Sequence, residues 1–159
     1  MAIIRSCTWD EIDLFSKNVY DQIVIDGFEP TVIIGILRGG VIPSVILSHL
    51  FGSVTVYGIT IRTTMSECAR AKRELVLAPN TCHLPDLTDH SILLVDDVTN
   101  TGNTLNIGKM ALEQAGATRI STACLIWDTV SDDPSGKISA CTADFYATEW
   151  HAWVAFPWE

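Results

Sequence analysis

The sequence is poor in basic residues: ten Lys and Arg stand against nineteen Asp and Glu, giving a formal net charge of −9. Because polyanions are bound through an excess of Lys and Arg, this balance argues against nucleic acids and anionic membrane surfaces as partners. The chain also lacks an apolar run near the roughly 18–20 residues that cross a bilayer, and its start lacks the apolar core of a signal peptide. We therefore expect a cytoplasmic protein with no nucleic-acid or membrane partner.

Metal-ligand spacing is also missing. The five cysteines include no C-x-x-C pair, and the four histidines are scattered. A disulfide framework or a zinc site is therefore not expected, and Cys124, which lies in an apolar run, is predicted to be a buried thiol. The chain does not have the low hydrophobicity of disordered proteins, since 48% of its 159 residues are hydrophobic. One domain with its own core is expected.

The positive charge that is present is concentrated in one stretch. Five of the ten basic residues lie within residues 38–73. An acidic chain that gathers its positive charge in this way is expected to bind a small anionic ligand. Residues 62–83, in the same region, are polar and weakly periodic, which predicts either disorder or a working lid.

Hydrophobic periodicity predicts an α/β domain. The capping box Thr8-x-x-Glu11 opens a helix over about residues 9–26. Further helices are predicted to end near Phe51 and to run from about Asn103 to Ala115. Strands are predicted at residues 31–37, 54–61, 92–95 and 120–127, with shorter candidates at 143–146 and 154–156. This alternation indicates a mainly parallel twisted sheet flanked by helices, in which ligands bind beyond the carboxyl ends of the strands.

The most informative stretch runs from Ile92 to Thr104: a strand, two adjacent acids, and a loop rich in hydroxyl groups that opens into a helix. Asp96 and Asp97 suit sugar hydroxyls or a hydrated Mg²⁺. Free N–H groups at the start of the helix favour a phosphate. The alternative is a solvated acid pair followed by an ordinary capped helix. The residues predicted to surround a phosphorylated sugar are Asp96, Asp97, Val98, Thr99, Asn100, Thr101, Gly102, Asn103 and Thr104.

The same string resembles the signature of type I phosphoribosyltransferases that binds phosphoribosyl pyrophosphate (PRPP). A Walker A loop and a G-x-G-x-x-G motif are absent. Nearly the whole chain resembles small purine enzymes of the xanthine-guanine type. The resemblance implies one type I phosphoribosyltransferase domain over residues 1–159, with a lid at about 62–83 and a C-terminal base-binding hood at about 143–159. It implies phosphoribosyl transfer from PRPP to a purine with release of pyrophosphate, Mg²⁺ as cofactor, and a homodimer or higher homo-oligomer.

The resemblance also assigns roles to residues outside the signature. The loop that holds the pyrophosphate would use the Arg38 guanidinium and the amides of the two glycines, and Arg73 would reach the pyrophosphate from the lid. Asp96 and Asp97 would orient the ribose and Mg²⁺, directly or through water. The residues of the pyrophosphate loop are Leu37, Arg38, Gly39 and Gly40.

The C-terminal segment resembles the hood over the purine. Trp153 would stack on the base, and Val154 and Glu159 would contact it. Trp150 and Trp158 are better suited to an aromatic plug or a dimer contact.

Two positions depart from the family pattern. Asn100 stands where 6-oxopurine enzymes usually place an Asp that takes the purine proton, and an amide cannot act as a base near neutral pH. Asp128 stands where a Lys usually reads the purine carbonyl, and it would attract an amino group instead. The identity of the base therefore stays open.

The function also stays open. The protein is expected to transfer the phosphoribosyl group to a purine or to a non-standard base, or to be a regulatory protein that binds PRPP or a nucleotide with reduced or no catalysis. A receiver or flavodoxin-like domain would match only the fold class. If a base is missing, Asn100→Asp is expected to raise the rate.

Overall fold

The computed structural model describes residues 4–64, 74–77, 84–129 and 143–159, and these residues form eight strands and three helices. The first half of the chain contains β1 (Ile4–Ser6), α1 (Trp9–Asp26), β2 (Val32–Leu37), α2 (Val41–Leu50), β3 (Thr55–Thr64) and β4 (Glu74–Leu77). The second half contains β5 (Ser91–Thr99), α3 (Asn103–Gln114), β6 (Arg119–Asp128), β7 (Phe145–Trp150) and β8 (Trp153–Ala155).

Six of the strands form one sheet in the order β4-β3-β2-β5-β6-β7. Parallel pairing joins five strands in the order β3, β2, β5, β6 and β7, and β4 pairs with β3 in the antiparallel direction. The predicted mainly parallel sheet with flanking helices is therefore confirmed. Within the described ranges, no helix has the combination of length and apolar character that a membrane crossing needs.

The helix predicted over residues 9–26 is confirmed, and its ends follow from local chemistry. The Thr8 hydroxyl accepts a hydrogen bond from the Glu11 amide (3.2 Å), and the Glu11 carboxylate accepts one from the Thr8 amide (2.9 Å). These two bonds satisfy amides that a helix start otherwise leaves unpaired. The helix ends at Gly27, whose φ of 80° is the left-handed conformation that glycine adopts without steric cost.

The central strands are buried on both faces, which explains their nearly continuous apolar sequence. Ile33 and Leu93 face the core shared with α1 and α2, whereas Ile34 and Leu94 face the core shared with α3. Each of these four side chains is fully buried, and burial of such a side chain stabilises the fold by about 1.5–3 kcal/mol. Cys124 is fully buried as well, as its apolar neighbours predict.

The region predicted to be a lid contains regular structure that the sequence analysis missed. β3 continues to Thr64, and β4 pairs with it from Ile61↔Leu77 to Thr64↔Glu74. Residues 65–73 and 78–83, the rest of the predicted lid, lie outside the described residues. β4 has only four residues and its pairing is antiparallel at the sheet edge, so the weak periodicity of the segment did not indicate it.

The segment predicted to form the hood, residues 143–159, is divided between two sheets. β7 is the edge strand of the main sheet, paired with β6 from Ala123↔Phe145 to Asp128↔Trp150. The separate layer consists of β8 and β1, which pair in parallel from Ile4↔Trp153 to Ser6↔Ala155. Three-residue strands that meet from opposite ends of a chain leave no local signal, so the sequence analysis did not predict β1.

Candidate active site

The carboxyl ends of β2 and β5 are neighbours in the sheet, and a crevice of about 620 Å³ opens beside them. Arg38, from the turn after β2, and Asp97, from the end of β5, line this crevice together. This is the edge of the sheet at which the sequence predicts ligand binding. The crevice-lining residues are Arg38, Gly39, Ile42, Asp97, Trp158 and Glu159.

The glycine pair after β2 is required by close packing of the turn. A β-carbon at Gly39 would overlap the Asp97 carboxylate, and one at Gly40 would collide with the main-chain oxygen atoms of Val95 and Ile36. The peptide bond between Leu37 and Arg38, just before the glycines, is cis. Glycine therefore lets this turn lie directly against the end of β5.

The structure corrects one expectation for this turn. The Gly40 amide donates to the carbonyl oxygen of Ile36 (2.9 Å), and the Gly40 carbonyl accepts from the Ser44 hydroxyl (2.6 Å). Both main-chain groups of Gly40 are thus engaged inside the turn, because its chain reversal needs them. Gly40 shapes the loop, and its amide is not available to a pyrophosphate.

The acid pair at the end of β5 is held by hydrogen bonds from its own main chain. Asp96 Oδ1 accepts from the Asp97 amide (3.0 Å), and Asp97 Oδ1 accepts from the Val98 amide (2.8 Å). Burial raises the pKa of Asp96 well above its usual range, and the charge of Asp97 raises it further. Burial also raises the pKa of Asp97, with an additional contribution from the charge of Glu159.

Burial of the acid pair therefore disfavours its negative charge. Asp97 and Glu159 line the crevice together and present the oxygen ligands that Mg²⁺ prefers. Among the described residues, no group of three His, Cys, Asp or Glu side chains converges into a metal site. Asp97 and Glu159 are the crevice-lining carboxylates that could hold a divalent cation.

The loop after β5 leads into a helix start suited to an anion. Gly102 is the N-cap of α3, with φ of 75°, and no side chain caps the helix. The first amides of such a helix carry partial positive charge, and they favour a phosphate group. Thr99 is buried, Thr104 is half-buried, and Thr101 is exposed. The loop thus offers main-chain amides and exposed hydroxyl groups beside the acid pair.

The two residues that depart from the family pattern lie together. The Asn100 side-chain amide donates to the main-chain oxygen of Asp128 (2.9 Å), and the Trp127 indole donates to the main-chain oxygen of Asn100 (3.3 Å). Asp128 is buried at the end of β6. Asn100 is therefore hydrogen-bonded to β6, the strand that carries Asp128, through both its side chain and its main chain.

The C-terminal segment supplies one wall of the crevice. Trp158 stacks on Phe156, with ring centroids 4.5 Å apart and planes 8° apart, and it also contacts Trp9 at 5.8 Å. The Glu159 carboxylate accepts from the Phe156 amide (3.2 Å), which folds the chain end into a turn. Trp158 was predicted to serve as a plug or dimer contact; it packs against the core and also lines the crevice with Glu159.

The other aromatic residues of this segment have separate environments. Trp150 is buried, meets Phe15 edge to face at 5.9 Å, and carries the Arg5 guanidinium 3.7 Å above its ring, so the predicted plug is confirmed for Trp150. Trp153 is 62% exposed on β8 and is not among the crevice-lining residues. The Val154 side chain is buried in the core, and contact between Val154 and a base stays a prediction.

Some site residues were missed, and others cannot be placed. Ile42 lines the crevice from the first turn of α2. Its only sequence signal is its position just after the glycine turn. Arg62 belongs to β3. Arg70, Lys72 and Arg73 lie outside the described residues.

The fold and the site together define a class of protein: an α/β domain that presents an acid pair, a glycine turn and an uncapped helix start at one sheet edge. The chain matches the phosphoribosyl transferase domain family over residues 8–158, and it belongs to that family. The resemblance to type I phosphoribosyltransferases, which are enzymes, is thereby confirmed.

Individual relatives agree with this assignment. The chain is 28% identical over 159 residues to a xanthine-guanine phosphoribosyltransferase of Cereibacter sphaeroides, an alignment that covers 96% of this chain and 84% of that protein. A purine phosphoribosyltransferase from Pyrococcus horikoshii superimposes with a TM-score of 0.81 and 29% identity, covering 98% of this chain and 94% of that one. The Helicobacter pylori xanthine-guanine-hypoxanthine enzyme shares the fold, with a TM-score of 0.73, 20% identity, and coverage of 99% and 93%.

Proposed function

We propose that this protein transfers the 5-phosphoribosyl group of PRPP to a purine base and releases pyrophosphate, as in purine salvage. The bond from the anomeric carbon to the pyrophosphate oxygen breaks, and a bond to a purine nitrogen forms. The observation that carries the proposal is the crevice where Arg38 faces Asp97 and Glu159 at the carboxyl edge of the sheet. The purine is supported by the names of the relatives in Cereibacter sphaeroides and Pyrococcus horikoshii.

Each part of the crevice has a task in this reaction. The loop before α3 holds the 5′-phosphate through its main-chain amides, and Asp96 and Asp97 accept hydrogen bonds from the ribose hydroxyls. The Arg38 guanidinium neutralises the charge that develops on the departing pyrophosphate. Mg²⁺ bound with PRPP would supply further neutralisation of the pyrophosphate and positive charge beside the acid pair. Catalytic help from Arg73 and from a lid over about residues 62–83 is part of the proposal, as is a single catalytic domain over residues 1–159.

We propose that the base binds beside the C-terminal segment. The exposed indole of Trp153 offers a face on which a purine can stack, an interaction worth roughly 1–3 kcal/mol. Glu159 lies at the crevice wall, within reach of a ligand that spans the crevice. Trp158, held by its stack on Phe156, offers a second aromatic edge. Asp128 favours a base that carries an amino group.

One observation favours a second function, a regulatory protein that binds PRPP or a nucleotide with reduced or no turnover. The Asn100 carboxamide cannot take a proton from a purine at neutral pH. Its amide group donates to a main-chain carbonyl at the end of β6. A protein that binds PRPP without a proton acceptor at this position would retain the affinity and lose the rate.

The test is an assay of pyrophosphate release from PRPP and Mg²⁺ with a panel of purines and pyrimidines, with the nucleotide product identified by chromatography. Transfer to at least one purine is expected. Arg38→Ala should raise the KM for PRPP at least tenfold, whereas Arg119→Ala, which removes the same charge beside Phe28 at the start of β6, should leave it unchanged. Tight PRPP binding without turnover on any base would favour the regulatory function instead.

Self-association and a cytoplasmic location belong to the same proposal. Several large apolar side chains are more than half exposed, and such exposure is often relieved by an interface. They include Ile4, Trp9, Leu14 and Ile25. Light scattering coupled to size-exclusion chromatography should give at least twice the 17.4 kDa chain mass.

A further inference from the structure

Two hydrogen bonds join the loop after β5 to the end of β6, and we call this pair the β5–β6 clamp. The Asn100 side-chain amide donates to the main-chain oxygen of Asp128 (2.9 Å), and the Trp127 indole donates to the main-chain oxygen of Asn100 (3.3 Å). A carbonyl oxygen can only accept a hydrogen bond, so the Asn100 carboxamide must turn its NH₂ group toward Asp128. Both the side chain and the main chain of Asn100 are thereby held.

The clamp is anchored to a well-supported part of the sheet. Trp127 pairs with Thr99 in the β5–β6 ladder and meets Tyr146 of β7 edge to face, with centroids 5.7 Å apart. The Tyr146 hydroxyl in turn donates to the Glu149 carboxylate (3.0 Å). Because β6 lies between β5 and β7, its end is fixed from both sides.

The clamped residue is the first residue of the loop from β5 to α3. Only Thr101 lies between it and Gly102, the N-cap whose helix has no side-chain cap. The direction of the loop amides depends on where Asn100 is held, because so few residues intervene. A phosphate-binding loop needs those amides to be directed at the ligand before it arrives.

We propose that Asn100 is a positioning residue: through the β5–β6 clamp it holds the phosphate-binding loop, and its side chain takes no part in proton transfer. The proposal rests on the proposed function only for the identity of the ligand. A carboxylate at this position has no proton to donate, and it would face the Asp128 carbonyl oxygen with like partial charge. Asn100→Asp should therefore weaken the site, the opposite of the rate increase expected if a proton acceptor were simply missing.

The experiment compares Asn100→Asp with Asn106→Asp, which makes the same chemical change on the exposed face of α3. Amide hydrogen exchange of residues 101–104 and affinity for ribose 5-phosphate are measured in the full-length protein. For Asn100→Asp we expect exchange at least tenfold faster, affinity at least fivefold weaker, and a raised KM for PRPP with no gain in kcat. Asn106→Asp should match the wild type.

A second variant tests the other bond of the clamp. Trp127→Phe removes the indole donor but keeps an aromatic ring against Tyr146, and it should shift exchange and affinity in the same direction by about twofold to threefold. A raised kcat in Asn100→Asp with unchanged exchange and affinity would overturn the proposal, as would variants indistinguishable from the wild type. If the wild-type protein transfers the phosphoribosyl group to no base, the proposed function is wrong. The role of the β5–β6 clamp is then still tested by amide hydrogen exchange of residues 101–104 in the variants.

Discussion

Substitution of Gly39 by alanine tests whether the glycine turn and the acid pair are packed as one unit. A β-carbon at position 39 would overlap the Oδ2 and Cγ atoms of Asp97 and lie 3.0 Å from Oδ1. The whole Asp97 carboxyl group would then have to rotate away, because the turn is held against β5 by Gly40, whose own β-carbon position is blocked by main-chain atoms. The perturbation therefore falls on a single side chain.

The cost can be estimated from what Asp97 gives up. Rotation breaks its hydrogen bond from the Val98 amide (2.8 Å), worth about 0.5–1.5 kcal/mol. A strained side-chain rotamer adds about 0.5–1.5 kcal/mol. The sum of about 1–3 kcal/mol agrees with the usual cost of overpacking. At roughly 2–4 °C per kcal/mol for a chain of this size, the Tm should fall by roughly 2–12 °C.

The assay is a double-mutant cycle followed by reversible thermal unfolding. Asp97→Ala removes the three atoms that the new β-carbon would meet, so Gly39→Ala should cost less than about 0.5 kcal/mol in that background. The single Gly39→Ala variant should also bind PRPP more weakly, because Asp97 leaves the crevice. An equal cost of Gly39→Ala in both backgrounds would refute the reasoning, since the clash would then lie elsewhere.

Two further substitutions address the pKa and the helix start. Asp96→Asn should raise the Tm at pH 7.5 and have little effect near pH 4. Because the pKa of Asp96 is raised, its ionisation destabilises the folded protein increasingly as pH rises above the ordinary value near 3.8. A neutral asparagine amide does not carry this destabilising charge. Gly102→Ala should lower the free energy of unfolding by about 1–2 kcal/mol, because alanine is strained at φ of 75°, and should weaken ribose 5-phosphate binding.

Each of these has a matched control. Asp89→Asn removes an acidic group on the surface, and an equal gain in Tm there would mean that global charge, not burial of Asp96, is responsible. Gly27 has φ of 80° and open space around its β-carbon position, so Gly27→Ala should cost similar stability while ribose 5-phosphate binding is unchanged. If Gly27→Ala weakened binding as much as Gly102→Ala, the effect would be global destabilisation.

Most of the fold could be predicted because its elements have strong local signals. The capping box at Thr8 and the glycine at position 27 mark both ends of α1, and β-branched apolar runs mark β2 and β5. β1 and β4 could not be predicted in the same way. Each is only three or four residues long and is stabilised by pairing with another strand. The partner of β1 is β8, at the other end of the chain, and the partner of β4 is β3, in the antiparallel direction.

The site was predictable where a motif is contiguous in sequence. The acid pair, the loop after it and the start of α3 are adjacent residues, and their chemistry can be inferred from their order. Other features of the site depend on tertiary packing and could not be predicted. The Gly40 amide donates its hydrogen bond within its own turn, and the Val154 side chain is buried. Trp158 lines the crevice because Phe156 and Trp9 hold its ring, which no spacing rule predicts.

Two features could be interpreted from the sequence alone. The scarcity of positive charge argues against polyanionic partners, and the order of the signature residues indicates a small phosphorylated ligand. Which residues share the crevice was decided only by the tertiary structure. Arg38, Asp97 and Glu159 are far apart in the chain, and they meet because β2 and β5 are adjacent in the sheet and the C-terminal turn folds over their ends. Sequence order determines local hydrogen bonding and periodicity, whereas strand pairing and burial bring distant groups together and set their charge.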